Sequence, residues 1–125
     1  MLLIIMRLMN INKGWEKMDQ IYNKLVRDNI PVIIKENGEE PIYRVLNEDE
    51  YWEYLLLKDN EELEEVRSAS STLERKKELA DKLELIRAMA EYNGFTLEDI
   101  IEEAGRKKER NGGFEKRLLL ERVIK

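Results

Sequence analysis

Two stretches of this chain carry residues whose types and spacing could do chemistry. Residues 60–66 read NEELEEV, placing Glu62 and Glu65 three apart. Twelve residues separate Glu65 from Glu78, and KELADKLE (77–84) places Glu78 and Asp81 three apart. Carboxylates three apart on a helix lie on neighbouring turns of one face, so each pair can act as a unit. Four acids brought together repel one another, and desolvation adds to the cost, so they stay ionised only around a compensating cation. An all-oxygen donor set selects a hard ion, magnesium or manganese, over zinc.

Composition removes the competing chemistries. The chain of 125 residues contains no histidine and no cysteine, which excludes the usual general base, the usual zinc ligands, thiolate catalysis and a disulfide framework. Catalysis would therefore run on carboxylates, lysines, arginines or a hard metal. A formal net charge of −5 argues against non-specific nucleic-acid binding, which needs a clustered basic surface. The opening MLLIIM is too short to span a bilayer or to serve as a signal segment, so the reading is cytoplasmic.

The elements that must position the acids follow from punctuation. Asn29, Pro31 and Gly38 delimit a short helix. EPIYRVL (40–46) alternates and is predicted as a strand. Asn47 with Glu50 has the form of a capping box and opens a long helix to about Arg67. Ser71 with Glu74 opens a second, ending at Gly94, and Thr96 with Asp99 opens a third to about Arg110. EKRLLLERV (115–123) is predicted as a closing strand, paired with the first because one short strand cannot satisfy its own backbone. The expected fold is mainly α: a bundle of three longer helices with a short N-terminal helix and a small two-stranded β element. Residues 18–125 form one domain. Residues 1–17 differ in composition from the rest, and the codons of Lys13–Met18 force a purine-rich run before the Met18 codon. Translation starting at Met18, with 1–17 as leader, is the expectation.

Helical phase separates these acids from the others in an acidic chain. Glu62 lies seven after Leu55 and four before Val66, within the apolar stripe of its helix, and Glu65 follows one turn on. Glu64 faces the other way, and Glu61 sits at the border. In the next helix Glu78 and Asp81 run into Leu85, Ala88 and Tyr92, beside an apolar row of Leu79, Leu83, Ile86 and Ala90 expected to be core. Two antiparallel helices packed through these stripes bring Glu62, Glu65, Glu78 and Asp81 towards one another. A solvated acidic face, with Lys58/Glu62 and Lys77/Asp81 as i,i+4 pairs, accounts for phase alone equally well.

The spacing resembles the paired E-x-x-E and E-x-x-D signature of the MazG-like all-α NTP pyrophosphohydrolase superfamily. YNKLVRDNIP (22–31), KDNEELEEV (58–66), KELADKLELI (77–86) and NGGF (111–114) occur in the order seen in its branch of house-cleaning noncanonical-NTP pyrophosphatases. The resemblance implies hydrolysis of a nucleoside triphosphate between its α- and β-phosphates. It implies Mg²⁺ (or Mn²⁺) on Glu62, Glu65, Glu78 and Asp81, with Glu61 or Glu62 orienting the attacking water. Lys24, Arg27 and Lys107 are then candidates for triphosphate contact, and Gly112 and Gly113 for a backbone anion nest. Asp59 and Lys82 depart from the branch, standing where apolar residues are usual, yet neither removes a ligand. The related phosphoribosyl-ATP pyrophosphohydrolase shares the carboxylate logic but lacks the KLVRDNIP and NGGF blocks. A non-catalytic helical interaction module is the reading from another class. Three amphipathic helices expose much apolar surface, so a homodimer or larger assembly is expected.

Overall fold

The computed structural model describes residues 19–125, and the expected leader over 1–17 lies outside them. Within the described residues the fold is mainly helical. α1 spans Ile30–Glu36, α2 Glu48–Ser68, α3 Thr72–Tyr92 and α4 Leu97–Asn111.

Local chemistry sets the boundaries. Pro31 occupies the first turn of α1, where its missing N–H costs nothing, and Gly38 leaves the helix at φ 82°. Asn47 and Glu50 close a reciprocal capping box at the start of α2. Arg44 grips Glu50 through both guanidinium nitrogens, at 3.1 and 2.6 Å, and this pairing holds the Glu50 carboxyl below its usual range. Ser71 accepts from the Glu74 N–H at the start of α3, while the Glu74 carboxylate turns back to Ser70. Thr96 and Asp99 form the second complete capping box, opening α4.

α2 and α3 are each 21 residues long, about 31 Å at 1.5 Å per residue, and only Ala69–Ser71 lie between them. So short a link turns the chain back on itself and makes the two helices antiparallel neighbours, the principal packed pair of the fold. α4 packs more lightly on α3. Among the described residues, Leu55, Leu85, Ala90 and Leu97, with Ile30 from α1, are the buried apolar ones. At the far end of the hairpin Trp52 stacks on Tyr92 with ring centroids 5.1 Å apart, and Tyr51 meets the same ring edge-on.

Two expectations are corrected. No strand occurs among the described residues; 40–46 and 115–123 are irregular. Ile42 and Val45 in the first segment and Leu118–Leu120 in the second stand in solvent. Alternation supplies a strand's side-chain pattern but not its partner, and without a ladder neither segment forms one. The row Leu79, Leu83, Ile86 is also not core: the three side chains are largely exposed, and the buried positions of α3 are Glu78, Leu85 and Ala90. Leu56 and Leu63 of α2 are likewise exposed.

Candidate metal centre and flanking cleft

The antiparallel hairpin brings the two acidic motifs face to face. Glu62 is fully buried and Glu78 nearly so, and Asp81 is half-buried beside them. Each offers one carboxylate oxygen, and these three oxygens lie within 4.8 Å of one another. Oxygens on opposite sides of a hard divalent cation, bound at 2.0–2.6 Å, stand about 4–5 Å apart, so the triplet matches the span of such a site. Three anionic oxygens from two helices, with no nitrogen or sulfur donor, fit magnesium or manganese. Glu65, one turn beyond Glu62, is half-buried but stands outside this triplet. Glu64 projects into solvent and pairs with Arg67.

Burial pushes the Glu62 carboxyl up to about 6, and the charge of Asp81 pushes the same way while Lys58 opposes it. The cause is physical: a carboxylate removed from water and set against another carboxylate resists ionisation. A cation bound between them reverses both penalties.

The irregular segment before α1 supplies positive charge. Asn23 takes a left-handed conformation at φ 47°, one of the few non-glycine types that tolerates it, and there the chain turns. Beyond that turn Lys24 lies 3.4 Å from Glu61 Oε1, and Arg27 donates to Asp81 Oδ1 at 2.7 Å. Both residues of the KLVRD block expected at the phosphates are therefore at the acidic motifs. Asn23, Lys24 and Leu25 also form one wall of a cleft of about 170 Å³, whose other wall is Tyr54, Leu57, Lys58 and Glu61 of α2.

The sequence offers Lys58 only as an i,i+4 partner of Glu62 on a solvated face, whereas the structure buries it and pairs it with Glu61. Its side chain is 2% exposed, and its ammonium donates to Glu61 Oε2 at 3.3 Å. The signal was present: Lys58 falls three after Leu55 and four before Glu62, in the buried stripe that isolates Glu62. Lys107, Gly112 and Gly113 are exposed on α4 and just beyond it, and none lines the cleft. Gly112 ends α4 at φ 84°, and the Glu115 carboxylate lies over Gly113 while pairing with Lys108 at 3.5 Å.

No family model matches the chain. An uncharacterized protein of Mycolicibacterium smegmatis is 46% identical over 48 residues, which are 38% of this chain and 49% of that protein. The match thus spans about half the length of the curated relative. No solved structure matches. Among the described residues no helix is long and apolar enough to cross a membrane.

Proposed function

We propose that the protein is a cytoplasmic, magnesium-dependent nucleoside triphosphate pyrophosphohydrolase acting on noncanonical nucleotides. The observation that carries this reading is the meeting of Glu62, Glu78 and Asp81 oxygens within 4.8 Å, with Arg27 and Lys24 beside them. A carboxylate triplet alone suits a cation and says nothing of an anionic substrate. Guanidinium and ammonium groups bordering it make a site for a polyanion that travels with its metal.

Glu62, Glu78 and Asp81 would hold the ion, with Glu65 available from the next turn of α2. Bound there, magnesium supplies Lewis-acid polarisation of phosphoryl oxygens and a coordinated water of lowered pKa. Arg27 and Lys24 neutralise the phosphate chain and orient it. Glu61, adjacent to the ligand Glu62, accepts the proton of the attacking water. Water oxygen bonds to the α-phosphorus, the bond to the bridging oxygen breaks, and pyrophosphate departs with that oxygen. Lys107 and the Gly112–Gly113 backbone belong to this reading as contacts made once substrate is present. A homo-oligomer belongs to it as well, supported by the exposed apolar row on α3.

The test is a screen of canonical and damaged nucleoside triphosphates with Mg²⁺, read as pyrophosphate release and repeated with Glu62→Gln. Release by the wild type and its loss in the variant are expected. If no triphosphate yields pyrophosphate, the enzymatic reading fails.

A further inference from the structure

The cleft beside the carboxylates holds an arrangement that metal binding alone does not explain. Lys58 is a buried ammonium, and burying one is costly unless it is closely paired. Its partner, Glu61, is shared. Lys58 approaches one oxygen of that carboxylate at 3.3 Å and Lys24 approaches the other at 3.4 Å. Both contacts are longer than the 2.7 Å pairs Arg27–Asp81 and Lys82–Asp59 nearby, and longer than the roughly 2.7–2.9 Å typical of a charge-assisted bond. Two cations thus flank one monoanion, one on each oxygen.

We propose that this cleft is a polyphosphate subsite, in which Lys58 and Lys24 bind the phosphoryl oxygens of the departing pyrophosphate and Glu61 holds their place until substrate arrives. The inference rests on the metal reading above, because it takes the charge of Glu62 as spent on the ion, leaving Lys58 to Glu61 alone. A phosphoryl group presents the same pair of oxygens as a carboxylate, with more charge. It therefore competes for both ammoniums at once. Tyr54 and Leu57 wall the cleft opposite the Asn23–Leu25 segment, and Lys58 at its base is shielded from water, so its attraction for an anion is little screened. Position favours it too: Glu61 lines the cleft and its sequence neighbour Glu62 belongs to the carboxylate triplet, so the two sites adjoin along α2.

The probe is tripolyphosphate, titrated calorimetrically into wild type, Lys58→Met, Lys58→Arg and Lys24→Met, in Mg²⁺ and separately in EDTA. Mn²⁺ binding is followed alone by electron paramagnetic resonance. Loss of one charge-assisted contact should weaken tripolyphosphate binding about 10-fold or more in Lys58→Met and at least several-fold in Lys24→Met, while Mn²⁺ still binds and Lys58→Arg keeps part of the affinity. If Lys58 merely neutralises its neighbours, Lys58→Met leaves tripolyphosphate binding unchanged, and the proposal is overturned. Should Lys58→Met fail to fold, Lys24→Met decides, because its side chain is 38% exposed; unchanged affinity there also overturns it. Absence of Mn²⁺ binding in the wild type would sink the metal reading, whereas absence of tripolyphosphate binding in both buffers would sink the cleft.

Discussion

Lys82 of α3 donates to Asp59 of α2 across 2.7 Å, closing an ion pair between the two helices that carry the acidic motifs. These are the two residues that stand where the resembled branch has apolar side chains. The two charges answer each other: the carboxylate on one helix meets an ammonium on the facing helix. The pair lies one residue past Asp81 and three before Glu62, so it clamps the hairpin at the level of the carboxylates.

A double-mutant cycle measures that clamp. The pair is part-exposed, at 24% and 37%, so screening keeps its coupling to about 0.5–1 kcal/mol. Asp59→Leu and Lys82→Met should each destabilise slightly, and the double variant should recover most of the loss in urea unfolding. Additive losses would show that the two charges act independently.

Glu62→Gln separates metal binding from folding. Mg²⁺ should raise the melting temperature of the wild type, since an ion that binds only the native state stabilises it. The variant should lose most of that gain. Turnover should fall on the order of 10²-fold or more, as for removal of a group that stabilises transition-state charge.

The raised Glu62 carboxyl gives a pH signature in metal-free protein. Its pKa moves from 4.5 to about 6 on folding, so the folded state binds the proton more tightly than the unfolded one. The resulting stability is fully present below pH 4.5 and is lost as pH rises through about 6. The loss is at most about 2 kcal/mol, from 1.36 kcal/mol per pH unit. Urea unfolding in EDTA at pH 5 and pH 7.5 should show it in the wild type and not in Glu62→Gln. Mn²⁺ affinity should change in the opposite sense, rising with pH through about 6, because the ligand must be ionised.

Arg27→Met removes the cation that pairs with Asp81. Metal then meets less competition, so Mn²⁺ should bind several-fold more tightly, while KM for a triphosphate should rise about 10-fold through the lost phosphate contact. Parallel weakening of both would mean that Arg27 serves only to hold the hairpin.

The exposed row Leu79, Leu83, Ile86 sits at helical spacing on α3, at 56, 46 and 38% exposure. Light scattering should report a dimer or larger assembly, and Leu79→Glu with Leu83→Glu should shift it towards monomer. A stable wild-type monomer would contradict this.

What was legible in the chain was what depends on near neighbours. Asn47 with Glu50, Ser71, and Thr96 with Asp99 open their helices as expected, because a cap is formed within four residues. The inward phase of Glu62 and the outward phase of Glu64 were legible for the same reason. The strands were not, because alternation over 40–46 says nothing about whether a second segment arrives. Nor was the exposure of Leu79 and Leu83, which depends on what packs opposite α3. The burial of Lys58 is less plain, because a lysine four before a glutamate reads equally as a solvated i,i+4 pair. Its phase, three after Leu55 and four before Glu62, is the signal that marks it as inward.

The three residues between α2 and α3 also bear on the order in which the protein assembles. Glu62, Glu78 and Asp81 are close in sequence and need only a helical hairpin to meet, whereas the Arg27–Asp81 bond joins residues 54 apart. Local contacts close fast and distant ones slowly. The carboxylates should therefore gather before Arg27 reaches them, and during that interval a divalent ion adds to the counter-charge that Lys58 supplies within α2. In a metal-rich medium the nascent hairpin would be nucleated by the ion, and Mg²⁺ would accelerate refolding as well as stabilise the finished fold.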